Sequence, residues 1–148
     1  MSQRPPSSEV TELRNSIVAL ARCLRQSART DDETWSALMV LGAIERAKGD
    51  ATPKDLAAEL GLRSSNLAQL LGDLDQRGLI DRMADTVDRR KVRVALTVAG
   101  QELVRDTRTQ RDQWLFDAMQ ARLTTEERAQ LLAAGELMQR LAQTPPNP

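Results

Sequence analysis

A chain of 148 residues has room for one domain with a real hydrophobic core, and hardly for two. It balances 21 basic against 21 acidic side chains, holds no histidine, and has Cys23 as its single cysteine. That inventory excludes histidine-based triads, most zinc sites and an intrachain disulfide framework; with no phosphate-cradling glycine loop and no clustered acids, no enzyme, catalytic residue, cofactor or metal is expected.

The opening MSQRPPSSE lacks the apolar core of a signal peptide, and no apolar run is long enough to span a bilayer. A soluble, cytoplasmic protein with no membrane partner is expected. From about Ser8 to Ala28, Val10, Leu13, Ile17, Leu20, Ala21 and Leu24 recur at helical spacing, while Arg14, Arg22, Arg25 and Arg29 take the other faces. A second helix after Asp31-Asp32 holds Trp35, Leu38, Met39, Leu41, Gly42 and Ile44, and Gly49 can close it. In TPKDLAAELG, Thr52 suits the N-cap, Pro53 the first helical position, Asp55 the capping-box place and Gly61 the C-terminal turn, which defines a helix of barely more than two turns. After GLR, Ser64-Ser65 starts another helix through Gln76. A short helix, a tight glycine turn and a second helix together spell helix-turn-helix.

LIDRMA and VRVALT then alternate apolar and polar residues around DTVDRRK, a β-hairpin with a long loop. Thr97 caps a long helix to about Leu123, and Thr124-Thr125-Glu126-Glu127 reads as a capping box for a last helix to Ala142. The expected fold is mainly α with a small β-wing: one domain over 1–148, with a winged helix-turn-helix at 51–96 between flanking helices at 8–30 and 98–142. Those flanking helices carry Val10, Leu13, Ile17 and Leu20 at one end and Leu131, Leu132, Leu137, Met138 and Leu141 at the other. One small winged domain cannot cover so much apolar surface, so a homodimer built from both ends is the economical solution; packing within one chain is the alternative.

Zero net charge hides a local excess. Residues 81–96 hold five basic and three acidic side chains, whereas 31–80 hold five and nine. Arg89, Arg90, Lys91 and Arg93 crowd the hairpin loop directly after Asp88, so any nucleic-acid footprint must be local. In the helix from Ser64 to Gln76, Leu67, Leu70, Leu71 and Leu74 form the buried stripe. Ser65, Gln69, Gly72 and Gln76 face the other way, flanked by Asn66 and Asp73. Ser64, Ser65, Asn66 and Gln69 suit base edges, or phosphates at the positive helix end, with Arg63 just before them as a phosphate contact. An ordinary solvated face is the bland alternative. Gly72 in mid-helix either lets the helix approach DNA closely or is tolerated because nothing packs there.

Asp88-Arg89-Arg90, five residues, Leu96-Thr97 and then Gly100 resemble the D-x-R-x5-L-T-x-x-G signature of the MarR (multiple antibiotic resistance regulator) family. DLAAELGL, LLGDLDQRGLIDR and LTVAGQELV fall where that family has its third helix, recognition helix and start of the fifth, so the resemblance covers roughly residues 9 to 142. It implies a dimeric bacterial transcriptional regulator, a repressor released by a small ligand, bound to a pseudo-palindromic double-stranded operator with its wings in the minor groove. It places Arg90 in that groove with Asp88 orienting it, and leaves Arg89, Lys91 and Arg93 as phosphate contacts, although strand alternation can turn one of them sideways. It also implies an effector pocket in which Trp35 and Met39 line the wall and a nearby arginine such as Arg14 meets an aromatic-acid-like ligand; plain core is the alternative for both apolar residues. Cys23 reads as a small half-buried hydrophobe or as an oxidant-sensing thiol, with Arg22 or Arg25 the cation such a thiol needs. The tyrosine partners of the family's peroxide-sensing branch are missing, since the chain has no Tyr. From another class altogether stands a winged-helix protein-interaction module that does not bind DNA.

Overall fold

In the computed structural model, residues 7–27, 34–88 and 90–143 are described. Ala28, Arg29, Asp31-Asp32, Arg89 and both tails lie outside them. The described elements run α1 (Ser8–Ser27), α2 (Trp35–Arg46), α3 (Pro53–Leu60), α4 (Ser64–Gln76), β1 (Ile80–Ala84), β2 (Val92–Leu96), α5 (Val98–Arg122) and α6 (Thr125–Ala142). This is the mainly α fold with a two-stranded wing that the periodicity predicts. The chain forms two compact units, Met1–Arg111 and Asp112–Pro148, whose boundary falls inside α5.

In the first unit one core gathers Val40, Leu41 and Ile44 from α2, Leu56 from α3, Leu67, Leu71 and Leu74 from α4, Ile80 from β1 and Val94 from β2. Each is at most 1% exposed, and each such burial stabilises the fold by roughly 1.5–3 kcal/mol before chain entropy is counted. Leu70 lies at the edge of the α4 stripe and is only half-buried.

Local chemistry sets the helix ends. Thr34 caps α2, its Oγ1 accepting the Ala37 N–H at 3.2 Å. The α2 turn opens on Lys48 at φ 50°, one residue before Gly49 at φ 90°, so a lysine takes a left-handed position. Thr52 Oγ1 accepts the Asp55 N–H at 3.2 Å, and its hydroxyl donates to the Asp55 carboxylate at 2.6 Å. Gly61 at φ 63° ends α3.

The wing strands pair antiparallel, Ile80 opposite Leu96 and Ala84 opposite Val92. Val94 also bridges Ala51, whose carbonyl accepts the Val94 N–H at 2.8 Å, so the hairpin is anchored beside α3. Beyond Ile80 and Val94 the ribbon leaves the core: Met83 and Val92 are exposed.

In the second unit, Thr124 and Glu127 make the full capping box expected for α6. An apolar groove of about 350 Å³ between α5 and α6 is lined by Leu115, Phe116, Met119 and Leu132. Neither α1 nor α6 has a fully buried residue. No helix among the described residues is long and apolar enough to cross a membrane.

Candidate nucleic-acid interface

The loop between β1 and β2 folds around one carboxylate, Asp85, only 5% exposed. Its Oδ1 accepts the Val87 N–H at 2.7 Å and the Asp88 N–H at 3.0 Å, and its Oδ2 accepts Nε–H of Arg93 at 2.7 Å. The Asp85 N–H donates to the Lys91 carbonyl at 2.9 Å, which closes the loop. The Asp88 N–H, then the Val87 N–H, hold the Asp85 carboxyl below the usual carboxylate range; the Lys91 charge acts in the same direction and burial opposes them.

Asp88 comes next in this chain of turns. Its Oδ1 accepts the Arg90 N–H at 3.1 Å. The resemblance implies that Asp88 orients Arg90; here its carboxylate holds the Arg90 main chain, because a short Asp side chain in a turn reaches the N–H two residues on. Arg90 and Lys91 are left exposed. Arg89 lies outside the described residues.

Arg93 is the side chain that strand alternation turns sideways. Instead of facing outward toward phosphate, it is held by Asp85 and by Asp50, with a third of its side chain exposed. Strand alternation explains the difference: Val94 points into the core, and Arg93 lies across the base of the loop, where it ties the wing to the segment before α3. Lys54, which the sequence reading did not single out, shares a cleft of about 490 Å³ with Arg90 and Lys91, edged by Thr52 and Val92. No spacing rule links positions 54 and 90; the Ala51–Val94 bridge does. Asp85 did leave a signal, since an Asp three residues before another Asp in a turn commonly accepts local N–H groups.

On α4, Ser64, Ser65, Asn66 and Gln69 are all exposed, as is Arg63 at the N-cap. Arg63 provides no side-chain cap, so the first N–H groups of α4 carry their partial positive charge outward. Asp73 is exposed on the same helix, which leaves the wing as the stronger source of positive potential.

Trp35 and Met39 are each 39% exposed. The cations on Trp35 are Arg25, 5.8 Å from the ring centroid, and Arg111, 4.8 Å from it. Arg14 instead donates to Asn15 Oδ1 at 3.1 Å on the exposed face of α1. Cys23 is a half-buried free thiol on the same helix. No group of acidic or cysteine side chains that would hold a metal occurs among the described residues.

Comparison with known proteins agrees with this fold. A model of the MarR family matches residues 33–91. An uncharacterised HTH-type transcriptional regulator of Bacillus subtilis, YwhA, is 33% identical over 120 residues, covering 78% of this chain and 86% of its own. A crystal structure described as a transcriptional regulator protein from Pseudomonas aeruginosa is 45% identical, with a TM-score of 0.82 and coverage of 93% of this chain and 96% of that one. A Staphylococcus aureus MepR variant bound to an oligodeoxyribonucleotide shares the fold at 24% identity, TM-score 0.67, covering 93% of this chain and all of that one (100%).

Proposed function

Because the chain belongs to the MarR family of winged helix-turn-helix transcriptional regulators, we propose that it works in the cytoplasm as a homodimeric repressor on a pseudo-palindromic DNA operator. One observation carries this reading: the wing is folded around Asp85 so that Arg90 and Lys91 stay exposed beside Lys54. In a narrow minor groove, where negative potential is enhanced, Arg90 finds its partner. Lys91 and Lys54 meet the flanking phosphates, and the polar N-terminal face of α4 enters the major groove. The MepR variant, seen with an oligodeoxyribonucleotide on the same fold, supports a DNA ligand.

A salt titration against the DNA flanking its own gene tests the reading. Binding should fall steeply with added salt, and Arg90→Ala should weaken it by about tenfold or more without unfolding the protein. Undiminished binding by Arg90→Ala removes the wing from the interface, and absence of DNA binding by the wild-type chain leaves the protein-interaction alternative.

A small-ligand switch rests on a separate observation, Trp35 with the guanidinium groups of Arg25 and Arg111 on its ring. Aromatic face and paired cations suit an aromatic carboxylate. In a Trp114→Phe background, benzoate should quench the fluorescence of Trp35 and Arg111→Ala should abolish the quenching.

A further inference from the structure

We propose that the cleft between the end of α2, the end of β2 and the first half of α5 binds a small organic dianion. The cleft, about 550 Å³, is of ligand-pocket size and lies wholly within the first unit. Gln101, Arg105 and Arg108 enter it from α5, where spacings of four and three residues place them on one helix face. Lys48 enters from the α2 turn. Glu45 is the single carboxylate of the lining, so cations exceed acids by two.

Glu45 does not exhaust these cations. Its Oε2 takes Nη2 of Arg108 at 2.6 Å, leaving the other N–H donors of that guanidinium available. Among the described residues Arg105 has only the Asp106 carboxylate beside it, at 3.7 Å and outside the cleft. Lys48 has no ion pair among the described residues and occupies a left-handed position that glycine would take at no steric cost. A single carboxylate would satisfy one of these groups; two negative charges match the excess. Half-buried Leu96 adds an apolar edge, which suits an organic body and a concave site better than a DNA backbone. A phosphate monoester and a dicarboxylate share this chemistry.

Calorimetric titration of the full chain, without DNA, with phenyl phosphate, phthalate and benzoate tests the proposal. At least one dianion should bind saturably and about tenfold or more tighter than benzoate, and the tighter of the two identifies the source class. The double substitution Arg105→Ala/Arg108→Ala should cost at least about tenfold in that affinity, and Glu45→Gln should raise it. Lys48→Gly keeps the turn, so it should weaken binding severalfold while the unfolding temperature holds or rises. Failure of both dianions to saturate, equal binding of benzoate, or unchanged affinity in Arg105→Ala/Arg108→Ala and Lys48→Gly overturns it; the last outcome would place the ligand at Trp35. The experiment uses no DNA, so its result is independent of the operator reading.

Discussion

At Gly100 a side chain is excluded by backbone. A Cβ there would come within 2.1 Å of the Leu79 carbonyl oxygen, because Thr97 draws the start of α5 against the turn after α4. The Thr97 hydroxyl donates to the Gly78 carbonyl at 2.7 Å, its N–H donates to the Leu79 carbonyl at 3.1 Å, and its Oγ1 accepts the Gly100 N–H at 3.1 Å. The Leu-Thr-x-x-Gly signature is thus a lock between two elements. Gly100→Ala should lower stability by about 1–3 kcal/mol or more in chemical denaturation, since the obstacle is main chain and cannot rotate away. Asp85 gives a pH prediction. Its carboxyl is held below the usual carboxylate range, so the stability it contributes is fully present above the ordinary aspartate value of about 3.9 and is lost as pH falls through its lower folded value. Asp85→Asn should therefore be less stable than wild type at neutral pH. The gap should close as both are titrated below about pH 4, read from parallel denaturation curves. Asp85 and Lys54 escaped the sequence reading for different reasons. The first acts through backbone N–H groups, and its place three residues before Asp88 in a turn is the one sign of that; the second acts through proximity created by a strand bridge.

Among the elements, α4 was the most legible. Its leucine stripe, its polar outer face and the glycine turns around it follow from helical periodicity and capping chemistry alone. Gly72 was left with two explanations. A Cβ there would meet nothing within 4 Å, so the folded chain makes no use of the missing side chain. Gly72→Ala should raise stability by about 0.5–1 kcal/mol through helix propensity and unfolded-chain entropy. If the stabilised variant also loses DNA affinity, the glycine serves close approach to DNA; unchanged affinity leaves it merely tolerated. The wing was legible as a hairpin but not in its inner charge arrangement. Alternation marks Val94 as inward, yet that Arg93 would be held between Asp50 and Asp85 depends on where the segment before α3 passes.

For the whole molecule, the apolar faces of α1 and α6 decide the proposed assembly. Leu13, Ile17, Leu132, Leu137 and Leu141 are between 41% and 68% exposed in the single chain, and apolar helix faces left so open mark interaction surfaces. Leu13→Glu with Leu137→Glu should convert a dimer to a monomer in analytical ultracentrifugation, while the core of the first unit keeps its helical signal. Unchanged sedimentation of a folded variant would mean that these faces are covered in some other way. The sequence by itself determined the order and type of the elements, the helix-turn-helix, the basic wing and the family, because periodicity, capping and turn chemistry act between residues close in the chain. Only the tertiary structure decided that Arg93 is spent on Asp50 and Asp85, that Lys54 joins Arg90, and that Lys48 meets Arg105 and Arg108 in one cleft. Those pairings join residues far apart in the chain, and the packing of the elements, which no local rule encodes, brings them together.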